Sequence, residues 1–202
     1  MTLDQASPIL LADTGPLIRL AAAGLLPTLR LTNRRIVIVD RVEAEATADA
    51  SKPFAREIAE WIAAMGDAVE RPRTLIGRAL RQMEAEDASP ENLRALRKAS
   101  RDSGEKALRE YIETWVPEGT PSALVVFEDS HVPILLQTSP IPLVMMTTRR
   151  FVKELAVWGV NTDAAHQLEG ISAQFTLRPS QIGEIDPLEP EDMRQLPRED
   201  GP

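Results

Sequence analysis

Two kinds of hydrophobic run alternate along the chain. Short unbroken apolar stretches occur at Ile9–Ala12, Ile36–Val39 and Ala123–Phe127, and a less pure one at Leu143–Met146. Runs of this length, bounded by turn residues, predict strands buried on both faces. Between them, apolar residues recur every three or four positions, which predicts amphipathic helices. Helices are expected over Leu17–Ala23, closed by Gly24, then from near Val42, and over Pro53–Met65. Two more are expected over 74–87 and 90–100, split by Asp87–Ala88–Ser89–Pro90. Asp102–Ser103–Gly104–Glu105 opens the next, whose apolar stripe is Leu108, Tyr111, Ile112 and Trp115. A last helix starts at Thr147 or Thr148, carries Phe151, Leu155 and Trp158, and stops at Gly159. Strands alternating with helices predict an α/β domain of parallel strands joined by helical crossovers.

The first strand runs directly into Asp13–Thr14–Gly15–Pro16, and Pro16 suits the first position of a helix because its missing N–H would be unpaired there. Asp13 is thus expected at the carboxyl end of a buried strand, where ligands bind in open α/β sheets.

Composition narrows the choice of partners. The 202 residues suit one domain with an appendage, and include no cysteine, which excludes disulfides and thiolate metal sites and fits a reducing compartment. There is no membrane-length apolar run and no leader-like start, so a cytoplasmic location without membrane contact is expected. The net charge of −8 argues against a uniformly basic nucleic-acid binder, but it is unevenly spread. Residues 181–202 hold seven acids against two arginines, whereas residues 71–101 hold eight basic residues against four acids. The divisions expected are an N-terminal lead at 1–8, a domain at 9–183 with an Arg-rich helical insertion at about 70–101, and an acidic, Pro-rich, disordered tail at 184–202. The tail is expected to compete with RNA for the basic insertion, so that deleting it strengthens RNA binding at low salt.

Four acids carry the candidate chemistry. Asp13 and Asp129 each follow a strand. Glu105 precedes Leu108 by three residues and Ile112 by seven, so it extends the buried stripe of its helix, and Glu45 follows Val42 by three in the same way. Carboxylates gathered at one end of a sheet repel one another unless a cation neutralises them. A hard divalent ion such as Mg²⁺ would do so and could stabilise charge developing on a phosphodiester. Each acid also has a plainer reading: Asp13 and Asp129 as helix caps, Asp102 with Glu105 as a capping box, and Glu45 as an exposed helix residue.

In these residues the chain resembles the PIN-domain nucleases. The likeness lies in an apolar strand into Asp13–Thr14–Gly15–Pro16–Leu17, in Val42-x-x-Glu45, in Asp102-x-Gly104–Glu105 with Ala107, and in a strand into Glu128–Asp129. It is nearest to the bacterial branch that includes toxin ribonucleases, and spans about Ile9 to Gly170. The resemblance implies a three-layer α/β/α fold with a central parallel sheet of four to five strands. It implies a ribonuclease dependent on Mg²⁺ or Mn²⁺, with Asp13, Glu45, Glu105 and Asp129 as the acidic cluster. Asp13, Glu105 and Asp129 would hold the metal, with Glu45 in an outer position or on a second ion. RNA as substrate, an antitoxin protein as partner and a homodimer as assembly go with that branch. Thr14, or Thr147 with Thr148, matches positions where the family places a hydroxyl near the site, although helix capping explains these residues equally.

The long stretch between Glu45 and Glu105, the choice between Glu128 and Asp129, and the prolines at 133 and 140 depart from the pattern. Asp129 is preferred for its spacing to the segment after it. Two other functions compete. One is a non-catalytic PIN-like binding or oligomerisation module. The other is a phosphatase with Asp13 as nucleophile, which lacks the second aspartate two residues on. His131, next but one to Asp129, is a candidate general base. Trp61, Trp115 and Trp158 read as core or subunit-contact residues.

Overall fold

The computed structural model describes residues 7–86 and 89–157. Five parallel strands form one sheet in the order β3-β2-β1-β4-β5, flanked by helices as a three-layer α/β/α domain. The strands are β1 (Ile9–Ala12), β2 (Arg35–Val37), β3 (Val69–Glu70), β4 (Ala123–Phe127) and β5 (Leu143–Thr147). All four β1 residues are fully buried, as its unbroken apolar run requires of a central strand covered on both faces. β1 pairs with β2 through Leu10↔Ile36 and with β4 through Leu10↔Leu124. The chain builds outward from β1 to β2 and β3 on one side, then returns to build β4 and β5 on the other. The crevice at the carboxyl end of β1 is therefore the topological switch point of the sheet.

The helices are α1 (Thr14–Ala22), α2 (Asp40–Thr47), α3 (Ala55–Met65), α4 (Leu75–Ala85), α5 (Pro90–Ala99), α6 (Ser103–Glu110), α7 (His131–Leu135) and α8 (Thr148–Val157). Helix α1 begins at Thr14, three residues before the expected Leu17, so Pro16 occupies the third helical position. The N–H groups of the whole first turn lack intrahelical acceptors, so the proline is tolerated there as well. Gly15 permits a close approach, because a Cβ would meet Glu128 Cβ at 2.9 Å.

Three elements had no counterpart in the pattern: the 3₁₀ segments Leu26–Thr32 and Gly66–Ala68 and the two-residue strand β3. Helix α7 forms despite Pro133 but lasts only five residues. Helix α6 passes into a π-helical turn at Tyr111–Trp115. The wider turn shifts the phase of the positions beyond it, and this corrects the expectation for Trp115. Instead of joining the stripe of Leu108, Tyr111 and Ile112, the indole is 46% exposed and donates to Glu110 Oε1 at 3.1 Å. Trp61 is partly buried and packs on the core.

The Arg-rich stretch forms an α4–α5 pair. Helix α4 packs on α6, and α5 packs on α4 without fully burying any side chain. Among the described residues no helix is long and apolar enough to cross a membrane. Trp158, Gly159, the remainder of the domain to residue 183 and the tail at 184–202 lie outside the described residues.

Candidate active site

The switch-point rim brings the four acids into one electrostatic neighbourhood. Asp13 leaves β1 with its N–H bonded to the Val126 carbonyl of β4 at 3.0 Å, which fixes the start of its side chain between the two strands. It is only 8% exposed. It stands at the N-cap of α1, yet its side chain makes no capping bond to that helix. Burial pushes its pKa from 3.8 to about 6, with Glu45, Asp129 and Glu128 adding repulsion and the Thr14 N–H offsetting part of the rise.

Glu105 enters from the first turn of α6. Partial burial pushes its carboxyl from 4.5 to about 7, Asp129, Asp13 and Asp102 add repulsion, and His131 relieves some of it. The capping box is not formed: Asp102 is left-handed, with φ 55°, and its side chain caps nothing. Neither Asp13 nor Glu105 has a basic ion-pair partner among the described residues.

The other two acids are tied by hydrogen bonds. Glu45 accepts from Thr14 Oγ1 at 3.1 Å, Ser103 Oγ at 2.7 Å and the Gly104 N–H at 2.9 Å. It thereby clamps the starts of α1 and α6 to α2, and is not an exposed helix glutamate. Gly104 makes room for it, since a Cβ there would lie 2.8 Å from Glu45 Oε2. Asp129 Oδ1 accepts from the His131 N–H at 2.8 Å and faces His131 Nδ1 at 2.9 Å. Its side chain is 51% exposed. Asp129 therefore does not stand at the N-cap of α7, which is Ser130, but bonds the N–H of its first residue from one position earlier.

Glu128 is distinct from its neighbour. It turns under α1 and pairs with Arg19 at 3.2 Å. Burial raises its pKa, and Thr148 and Arg19 pull the other way. Of the candidate hydroxyls, Thr14 bonds Glu45, and Thr147 Oγ1 accepts from the Arg150 N–H as a cap of α8.

The donors are all carboxylate oxygens, the set a hard cation such as Mg²⁺ or Mn²⁺ prefers. Asp13 is buried and repelled by acids on several sides, so a cation would relieve the strain. Among the described residues, no three His, Asp or Glu side chains stand close enough to hold a metal ion in common. The arrangement thus fits an ion that touches one or two carboxylates and keeps several waters, and does not fit one enclosed by protein ligands.

In sequence comparisons, the chain matches no family model and no curated protein. The chemistry open to the rim therefore rests on its own residues.

Sequence reasoning passed over Asp40, which comes after the β2 segment as Asp13 comes after β1. It is 9% exposed and accepts from the Thr74 N–H at 3.2 Å, Thr74 Oγ1 at 2.7 Å and Arg81 Nη1 at 2.8 Å. Gly77 packs on the same carboxylate, and a Cβ there would overlap it. Beside it, Arg41 donates to Ser103 Oγ at 3.3 Å and Glu84 at 3.2 Å, which extends the Glu45 network to α4. A cleft of about 440 Å³ opens here, lined by Asp40, Glu43, Thr47, Arg71, Arg73 and Arg81. Two of its arginines are already paired, Arg71 with Glu43 and Arg81 with Asp40. Asp40→Ala should destabilise the fold by about 3 kcal/mol in urea unfolding, because it strands a buried N–H and a partly buried guanidinium. A loss below about 1 kcal/mol would show that the node does not hold α4 to α2.

Proposed function

We propose that the protein is a divalent-metal-dependent ribonuclease, with Asp13, Glu45, Glu105 and Asp129 as its site acids. The observation that carries this reading is the buried Asp13 at the switch point, without a basic partner among the described residues, surrounded by acids and with a raised pKa. A fold gains no stability from such a group, so a ligand that needs it is the economical explanation.

Asp13 and Glu105 would hold the ion, with Asp129 reaching it through water. Mg²⁺ or Mn²⁺, when bound, supplies the positive charge that polarises a phosphodiester and offsets charge building on its oxygens. Glu45 positions: its three hydrogen bonds fix the starts of α1 and α6, and with them Asp13 and Glu105. Asp129 and His131 form an exposed pair able to accept and pass a proton at the rim.

A second reading, a non-catalytic PIN-like module, is favoured by one observation. Glu45 and Asp129 already have protein partners, and no three acids share a metal-sized space among the described residues. Incubation of single-stranded RNA with the full chain in Mn²⁺ and in EDTA decides between them. Cleavage in Mn²⁺ alone supports the nuclease. No cleavage, together with no heat of Mn²⁺ binding, leaves the binding module. Release of phosphate from a small phosphomonoester, with RNA intact, points instead to the phosphatase.

A further inference from the structure

Helix α5 stands apart from the other helices in how its charge is arranged. Arg94, Arg97, Lys98 and Arg101 recur at intervals of three and four, so they lie along one face of α5 and its exit. All four are exposed, and none has an ion-pair partner among the described residues. Asn92, Leu96 and Ser100, the partly buried positions, lie on the opposite face.

A solvated helix face normally mixes signs, and other helices of this chain do so. Arg56–Glu60 on α3, Arg109–Glu113 from α6 and Arg150–Glu154 on α8 are ion pairs four residues apart, at 2.8, 2.8 and 2.6 Å. In α5 the only acid is Glu91, near its start. Like charges three and four residues apart repel one another, while Arg97 and Lys98 in the last turn meet the favourable end of the helix dipole. In a chain of net charge −8, Arg94, Arg97, Lys98 and Arg101 are four positive charges in one row.

The strip also leads to the candidate site. Arg101 is followed by Asp102, Ser103 and Gly104, and then by Glu105 at the rim. We propose that the basic face of α5 is a phosphate track that receives single-stranded RNA and delivers it to the acidic rim. The target of that delivery rests on the ribonuclease reading, whereas the track itself rests on α5.

Arg94 to Lys98 spans four helical steps, about 6 Å or about two nucleotides, and Arg101 extends the row in the turn beyond α5. A single helix face presents one row of cations, which matches one phosphate backbone. An acidic protein partner would bury a cluster of apolar residues along with its charges, and Leu93 is the one large apolar side chain that α5 exposes. The arginines outnumber the lysine three to one, which suits bidentate phosphate contacts.

Fluorescence anisotropy of a labelled twelve-nucleotide oligouridylate, with the full chain in EDTA, tests the track apart from cleavage. Between 50 and 200 mM salt, replacing all four residues by Gln should flatten the log–log salt dependence by about 3, as expected for four lost phosphate contacts to a single strand. Affinity at 50 mM salt should fall at least about a hundredfold. The variant with Arg94, Arg97 and Arg101 changed to Lys should keep the slope, which guards against a fold defect in the first. An unchanged slope and affinity in the Gln variant, or no RNA binding by the native chain, overturns the track. If the native chain cleaves RNA while the slope is unmoved, the track fails and the nuclease stands. If the slope falls but nothing is cleaved in Mn²⁺, the track stands and the nuclease fails.

Discussion

Asp13→Asn should make the protein more stable and inactive at once. Asn is nearly the same size and still offers a carbonyl to the Thr14 N–H, but it carries no charge. The shift of Asp13 from 3.8 to about 6 corresponds to roughly 3 kcal/mol against the folded state once the group is ionised. Between those two values the unfolded chain has released its proton and the folded chain has kept it, so wild-type stability falls as pH rises through this window. In urea unfolding at pH 8 the variant should gain about 1–3 kcal/mol, and the gain should be nearly gone at pH 4. RNA cleavage should drop by about 10³-fold or more, the loss of several kcal/mol of charge stabilisation. The two readouts separate two claims. Equal stability at pH 8 would mean that Asp13 is not the strained group its burial makes it. Retained cleavage would remove it from the chemistry.

This trade shows why part of the site could be read from sequence. Asp13 ends an apolar run that must be buried, and a parallel strand covered on both faces leaves few places for a carboxylate except its end. Glu105 was visible through its spacing to Leu108 and Ile112, which the α6 burial pattern follows. Other features depend on partners remote in the chain. Asp40 finds Thr74 and Arg81 34 and 41 residues away, and Glu45 finds Ser103 58 residues away. No local period encodes such contacts. Gly77 and Gly104 are needed for the side chains packed against them, which only the assembled structure reveals.

The fold shows the same division. β1 and β4 were legible because central parallel strands are continuous apolar runs. β3 was not, because Val69–Glu70 is too short for any period and exists through pairing with β2. The helix read through Trp115 fails at its end for a geometric reason. One π-helical turn changes the phase of every later position, and no residue type announces it.

Metal affinity should climb steeply with pH, and the climb should have two parts. A cation at the rim must displace the protons that burial and mutual repulsion keep on Asp13 up to about 6 and on Glu105 up to about 7. Below pH 6 both must leave, between 6 and 7 chiefly that of Glu105, and above 7 neither. Mn²⁺ affinity by calorimetry should therefore rise about a thousandfold from pH 5 to pH 8 and level off above it. Proton release should be visible as a dependence of the heat on buffer ionisation at pH 6. Glu105→Gln should weaken binding and also remove the upper step, leaving about a tenfold rise that ends near pH 6.5. A flat profile in the native chain would mean that the ion does not bind these two carboxylates. A full thousandfold rise in the Glu105→Gln variant would mean that the second proton is not the one on Glu105.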